Sequence, residues 1–148
     1  MKYIAYGSNM SIAQMRHRAP GARLVGTGRI EGARLEFYVH ATVEKSKNPA
    51  ETVPVAVWEI TPSDKGRLDI YEGWPTYYVR RTCSVRMDDG SEIRGLIYIM
   101  NSHYAAEPSP SYYGGILNAY TDLGLSSQIE TVLEPALRRS QARARSAG

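Results

Sequence analysis

LDIYEGWPTYYVR, residues 68–80, places the carboxylate of Glu72 directly before a glycine and a Trp-Pro pair. Aromatic side chains surround it within six residues, namely Tyr71, Trp74, Tyr77 and Tyr78. A carboxylate among ring faces loses hydration, and lost hydration raises its pKa towards neutrality. Such a group can take up and return a proton near neutral pH. The stretch leaves one alternative open, in which Glu72 merely precedes a helix-ending glycine and points into water.

Composition and length indicate an ordinary globular domain. The chain has 148 residues, 43% of them apolar, which is enough for one domain with a sizeable core. The apolar run at the N-terminus ends at Gly7, too early for a signal peptide, and no run is long enough to span a membrane. The single cysteine, Cys83, excludes an internal disulfide and fits a reducing compartment, so we expect a cytoplasmic protein.

The positive charge of the chain is concentrated at one end. Of the 18 basic residues, four are arginines of RRSQARARSAG, residues 138–148, which leaves 14 against 15 acidic residues in the rest. This division predicts a nearly neutral domain over residues 1–137 and a flexible, arginine-rich tail over residues 138–148. Short basic tails are usually solvated, so we do not expect nucleic-acid binding.

The elements along the chain predict an α+β fold. Six apolar or alternating segments are typical of strands, at residues 2–6, 22–30, 33–40, 53–60, 78–87 and 92–101. Turn signals predict two hairpins, one across Glu31-Gly32 and one across Asp88-Asp89-Gly90, while residues 41–52 are interpreted as a loop. Helices are expected near residues 11–18, 61–71, 107–124 and from about 126 onward. Together they predict a small, mostly antiparallel β-barrel or strongly curved sheet with flanking helices.

The junction Gly7-Ser8-Asn9 follows the first strand and precedes the first helix. Such a junction leaves several backbone N–H groups without partners and pointing the same way, which favours an anion. A plain tight turn is the alternative.

Other kinds of chemistry fit the sequence poorly. His17, His40 and His103 are scattered, and with a single cysteine they show no metal-ligand spacing. No GxSxG nucleophile motif is present, and GTGR at residues 26–29 lacks the ending of a phosphate loop. Cys83 shares a strand face with apolar residues, which indicates a small core residue rather than a nucleophile.

Several of these segments together resemble the γ-glutamylcyclotransferase-like family. The matching segments, in the family's order, are YGSNM (6–10), MRHRAPGA (15–22), VAVWEI (55–60), LDIYEGWPTYYVRR (68–81) and PSPSY (108–112). The resemblance covers roughly residues 2–125 and implies a small barrel with flanking helices. It also implies that a γ-glutamyl group is released as 5-oxoproline without a metal or organic cofactor.

The resemblance further implies roles for particular residues. Glu72 corresponds to the catalytic glutamate, Tyr112 to a residue lining the pocket, and Tyr78 and Arg80 to a Y-x-R pattern whose tyrosine lies beside the glutamate. The residues expected to hold the glutamyl end of the substrate are Tyr6, Gly7, Ser8, Asn9 and Met10. The bulk of Trp74 suggests a narrower leaving-group side. The leaving group (amino acid, peptide or amine) stays open, as does a non-catalytic member that binds a small anion or a partner protein.

Overall fold

A computed structural model describes residues 1–147 and builds them from seven strands and four α-helices. The strands are β1 (Lys2–Ala5), β2 (Arg23–Glu31), β3 (Ala33–Tyr38), β4 (His40–Lys45), β5 (Thr52–Glu59), β6 (Tyr78–Met87) and β7 (Glu92–Met100). The helices are α1 (Ile12–Arg18), α2 (Pro62–Tyr71), α3 (Pro110–Asp122) and α4 (Glu134–Ala147). Shorter helical turns cover Ser8–Met10, Ser126–Gln128 and Ile129–Leu133.

Five of the strands form a closed barrel in the order β1-β5-β2-β6-β7. Neighbours are antiparallel except at the closing seam, where β1 and β7 are parallel and Tyr3 is paired with Leu96. The apolar strand β5 lies between β1 and β2, with Val53, Val55 and Val57 fully buried. The predicted α+β barrel with flanking helices is therefore confirmed.

Glycine allows the seam to close. A Cβ atom at Gly95 of β7 would lie 2.9 Å from the backbone oxygen of Lys2 in β1. Real Cβ atoms essentially never approach that closely, so a larger residue at position 95 would push β1 away from β7.

One of the two predicted hairpins is wrong and the other is confirmed. β2 does not pair with β3 across Glu31-Gly32; it pairs with β5 and β6 instead. β3 pairs with β4, a strand inside the region interpreted as a loop, through a turn at Val39 with φ of 69°. The polar sequence of this region concealed the strand, although Ala41, Thr42 and Val43 are all buried. The second hairpin is present, since β6 pairs with β7 along its length.

Helix α2 begins and ends as its sequence predicts. The Thr61 hydroxyl accepts from the Asp64 N–H at 3.1 Å, and the Asp64 carboxylate accepts from the Thr61 N–H at 3.0 Å. These reciprocal bonds are a capping box. At the other end Glu72 is the capping residue, and Gly73 adopts a φ of 66° that favours glycine. Glu72 is therefore fixed at the end of a helix with a defined start.

The C-terminal arginines do not form the expected flexible tail. Residues 138–147 belong to α4, which lies against β3. Arg139 donates to the Glu36 carboxylate at 2.7 Å and to the Leu35 backbone oxygen at 2.9 Å, while Arg143 donates to the Phe37 backbone oxygen at 2.9 Å. The buried carboxylate on β3, more than a hundred residues earlier in the chain, explains the difference. Across residues 1–147, none of the helices combines the length and apolar character needed to cross a membrane.

Candidate active site

A cavity of ≈ 240 Å³ is lined in part by residues of β1, β4, β6 and β7. Seven of the residues that line it are tyrosines, contributed by strands, helices and loops distant in sequence: Tyr3, Tyr6, Tyr71, Tyr77, Tyr78, Tyr98 and Tyr112. The remaining lining residues are Ile4, Gly7, Ser8, Asn9, His40, Ala41 and Glu72. The cavity therefore combines one carboxylate, one imidazole and a wall of phenol rings.

Glu72 faces this cavity rather than open water. Its Oε1 atom lies 3.4 Å from the Asn9 side-chain nitrogen, and within residues 1–147 it forms no ion pair. Burial raises the pKa of the Glu72 carboxyl to about 7, while the nearby positive charge of Arg18 acts in the opposite direction. A carboxyl group with this pKa can both accept and donate a proton near neutral pH.

The Gly7-Ser8-Asn9 junction presents backbone donors at the cavity wall. Ser8–Met10 form one short turn, in which the Met10 N–H donates to the Gly7 oxygen at 3.0 Å. The N–H groups of Gly7, Ser8 and Asn9 make no hydrogen bond within residues 1–147. The indole nitrogen of Trp58 donates to the Asn9 backbone oxygen at 3.0 Å and holds the turn in place. The turn can therefore offer N–H donors to a negatively charged group.

Three tyrosine hydroxyls converge on the backbone of Ala41. Tyr78 donates to the Ala41 oxygen at 2.5 Å, and Tyr6 lies 3.5 Å from the same atom while donating to the Tyr98 oxygen. The Ala41 N–H donates in turn to the Tyr112 hydroxyl at 3.0 Å. Burial is the main cause that raises the pKa of Tyr6, Tyr78 and Tyr112, so all three are neutral phenols near pH 7. These bonds fix the rings that shape the cavity.

A comparison with protein families assigns the chain. The family model described as "Gamma-glutamyl cyclotransferase, AIG2-like" matches residues 3–115, which include the turn at Gly7, Glu72 and Tyr112. The chain belongs to this family.

Individual relatives agree with the assignment. The human gamma-glutamylcyclotransferase is 28% identical over 145 residues, covering 89% of this chain and 76% of the human protein. The bovine gamma-glutamylcyclotransferase is 26% identical over 142 residues, covering 88% of this chain and 76% of the bovine protein. A solved structure titled gamma-glutamyl cyclotransferase superimposes with a TM-score of 0.80 at 28% identity, covering 90% of this chain and 85% of that one.

The family fold brings most of the expected site residues together. Tyr6, Gly7, Ser8, Asn9, Glu72, Tyr78 and Tyr112 all line the cavity. Met10 does not: its side chain is fully buried in the core, since the turn directs it away from the cavity. Arg80 and Trp74 are also outside the lining. The Arg80 guanidinium lies 3.6 Å above the Trp74 ring and 3.2 Å from Asp69, so this pair braces the segment after α2.

Sequence reasoning missed four polar side chains of the site. Tyr3 and Tyr98 line the cavity from β1 and β7, and they are indistinguishable in sequence from core aromatics of a strand. His40 shows no metal-ligand spacing in the sequence, yet its Nδ1 atom lies 2.8 Å from the Tyr77 hydroxyl. Arg18 belongs to the matching segment MRHRAPGA, and it donates to Ser8 and Asn9. Membership of that segment was the one available signal for Arg18.

The other reactive groups lie away from the cavity. Cys83 is half-buried on β6 and packs against the core, and burial raises the pKa of its thiol. A raised pKa disfavours the reactive thiolate, in agreement with the core role expected from its strand face. Within residues 1–147 no three His, Cys, Asp or Glu side chains are grouped so that they could hold a metal ion.

Proposed function

We propose that this chain is a γ-glutamyl cyclotransferase that releases 5-oxoproline from a small γ-glutamyl compound, with Glu72 as the general acid and base. One observation carries the proposal: Glu72 combines a pKa of about 7 with a position on a cavity beside unpaired backbone donors. Membership of the cyclotransferase family supports the same reaction.

Proton transfer is the central step of the proposed reaction. The α-amine of the substrate has a reference pKa of about 7.7–8.0, so at neutral pH it is mostly an ammonium ion that cannot attack. The Glu72 carboxylate removes one proton, and the free amine attacks the side-chain carbonyl carbon of the same glutamyl group. The bond between that carbon and the leaving nitrogen then breaks as Glu72 returns the proton to the leaving amine. The ring nitrogen gives up its second proton to the departing amine, which leaves as an ammonium ion, so that 5-oxoproline keeps one N–H. General acid–base catalysis of this kind contributes roughly 10²- to 10⁴-fold.

The cavity supplies orientation and charge stabilisation. Ring closure joins two ends of one molecule, so holding the glutamyl group folded removes most of the entropic barrier. The N–H groups of Gly7, Ser8 and Asn9 suit either the α-carboxylate of the substrate or the oxyanion that develops during attack. The neutral phenols of Tyr6, Tyr78 and Tyr112 enclose the glutamyl group without adding charge. No step of this reaction requires a metal or an organic cofactor.

Incubation with a panel of γ-glutamyl compounds tests the proposal. The panel contains γ-glutamyl amino acids, a γ-glutamyl peptide and a γ-glutamyl amine, and the product measured is 5-oxoproline. We expect release from at least one compound and loss of that release in Glu72→Gln. Binding of the compounds without release from any of them would overturn the proposal and would favour a non-catalytic binder of small anions.

A further inference from the structure

Arg18, at the end of α1, contacts three residues of the cavity wall. Its Nη1 atom donates to the Ser8 hydroxyl oxygen at 3.0 Å and to the Asn9 side-chain oxygen at 2.5 Å. Its guanidinium carbon lies 3.6 Å from the centre of the Tyr71 ring. Unlike Arg139 or Arg80, it forms no ion pair with a carboxylate in the part of the chain that the structure describes. Its contacts are therefore directed at the site.

The chemistry of arginine dictates how Asn9 is oriented. A guanidinium group has donors but no acceptor, so the Asn9 atom that meets it is the oxygen. The Asn9 amide nitrogen consequently faces the other way, where it lies 2.9 Å from the Tyr3 hydroxyl and 3.4 Å from Glu72 Oε1. Arg18 is thus connected to Glu72 through one fixed amide group.

The same argument applies to Ser8. Its hydroxyl oxygen accepts from Arg18, so its own hydrogen is available to another acceptor. Ser8 lines the cavity, and the N–H groups of Gly7, Ser8 and Asn9 make no hydrogen bond within residues 1–147. With Arg18 in place, the polar hydrogens of the turn are therefore donors for an anionic group in the cavity.

We propose that Arg18 is a positioning residue that makes the Gly7-Ser8-Asn9 turn a set of hydrogen-bond donors and aligns Glu72 through Asn9. The group recognised is a carboxylate or oxyanion of the γ-glutamyl substrate, so this role rests on the proposed function. Arg18 contacts the substrate only through the turn that it orients.

The charge of Arg18 also affects Glu72. The other titratable groups that line the cavity with Glu72 are the imidazole of His40 and the phenols of Tyr3, Tyr6, Tyr71, Tyr77, Tyr78, Tyr98 and Tyr112. Burial lowers the pKa of His40 and raises the pKa of Tyr3, Tyr6, Tyr77, Tyr78, Tyr98 and Tyr112, so these shifted groups are neutral near pH 7. The Arg18 guanidinium is a permanent positive charge, and it lowers the Glu72 pKa against the effect of burial.

Two substitutions at position 18 separate orientation from charge. Arg18→Met removes both the donors and the charge, so we expect kcat/KM to fall about tenfold or more. We also expect the acidic limb of its pH profile to move to higher pH. Arg18→Lys keeps the charge but replaces the planar fork with a single ammonium. The acidic limb of Arg18→Lys should lie at the same pH as in wild type, while its KM should be higher than that of wild type. Arg16→Met, an exposed arginine on the same helix, is the matched control and should change neither property.

A measurement without substrate makes the test independent of the proposed reaction. The Glu72 carboxyl is followed by ¹³C nuclear magnetic resonance while the pH is varied, in wild type and in Arg18→Met. A titration that moves to higher pH in the variant supports the role of Arg18, even if no γ-glutamyl compound releases 5-oxoproline. In that case the proposed function fails while the coupling of Arg18 to Glu72 stands.

Two results would overturn the role of Arg18. One is a folded Arg18→Met variant with an unmoved Glu72 titration and an unchanged KM. The other applies if Arg18→Met does not fold, in which case Arg18→Lys is the deciding variant. A wild-type KM in Arg18→Lys would show that the fork-shaped contact to Ser8 and Asn9 has no function.

Discussion

Two glutamates of this chain, Glu36 and Glu72, are both withdrawn from water but lie in opposite surroundings. Glu36 on β3 has a side chain only 8% exposed, and two arginines of α4 reach it at 2.7 Å and 3.6 Å. Glu72 lies at the end of α2 beside a cavity, where its carboxylate contacts the amide of Asn9. The first carboxylate is surrounded by positive charge, and the second is not.

The difference separates a structural carboxylate from a reactive one. Opposite charges compensate the desolvation of Glu36, and its bonds attach the C-terminal helix to the sheet. Glu72 forms no ion pair, and Arg18 offsets its desolvation only in part, so burial raises its pKa to about 7. A partly buried carboxylate without an ion-pair partner is costly for stability, and such strain is typical of functional sites. Burial together with a missing partner, rather than burial alone, distinguishes Glu72.

The largest effect is expected for Glu72→Gln. Glutamine keeps the shape and most hydrogen bonding but cannot act as a base, so turnover should fall at least ~10²-fold, about 2.7 kcal/mol of barrier. The free energy of unfolding should hold or rise, because the variant no longer carries a desolvated charge. Steady-state kinetics and chemical denaturation measure the two quantities. Normal turnover, or an unfolded variant, would show that Glu72 is a structural residue.

Glu36→Gln is the matched substitution, and we expect it to lower stability while leaving turnover unchanged. Removing the charge leaves two half-buried guanidinium groups without their partner, so we expect the free energy of unfolding to fall by about 2 kcal/mol. Turnover per folded molecule should stay at the wild-type level, since Glu36 does not line the cavity. Denaturation curves compared with those of Glu72→Gln provide the check. A stable Glu36→Gln variant would contradict the contrast between the two carboxylates.

The pH dependence of stability sharpens the comparison further. The pKa of Glu72 is raised from 4.5 to about 7 on folding, so the folded protein binds this proton more tightly than the unfolded chain. This contribution is complete below pH 4.5 and is lost as pH rises towards 7. We expect wild type to lose about 1–2 kcal/mol relative to Glu72→Gln across this interval, allowing for the exposed part of the side chain. Activity should instead rise through pH 7. Parallel stability curves for the two proteins would refute the raised pKa.

Cys83→Ala should have the smallest effect. Cys83 is half-buried and titratable but lies outside the cavity, so it tests whether partial burial by itself creates reactivity. We expect a loss of ~1 kcal/mol of stability, the scale of a small core truncation, and unchanged turnover. Inactivation of a folded Cys83→Ala variant would favour a covalent mechanism through the thiol.

Local signals in the sequence predicted much of the fold and, of the two carboxylates compared, the surroundings of Glu72 but not those of Glu36. The capping box of α2, the β6–β7 turn and the aromatic residues around Glu72 each occupy a few consecutive residues. Glu36 and Arg139 are separated by 103 residues, so no local pattern connects them. The β3–β4 pairing was hidden for a related reason, because the buried face of β4 depends on elements distant in the chain. Arg18 was missed because a guanidinium at a helix end is usually solvated.

The seam between β1 and β7 links the folding order of the chain to its chemistry. Tyr3 lies at this seam, paired with Leu96, and its hydroxyl accepts from the Asn9 amide at the cavity wall. Contacts between such distant parts of a chain carry a high entropic cost and form late in folding. We therefore expect the β6–β7 hairpin to form first and the cavity to be completed only when the barrel closes. In refolding experiments the return of catalytic activity should coincide with the slowest kinetic phase. Activity that returns before the Tyr3 amide becomes protected from hydrogen exchange would show that the cavity assembles in an open sheet.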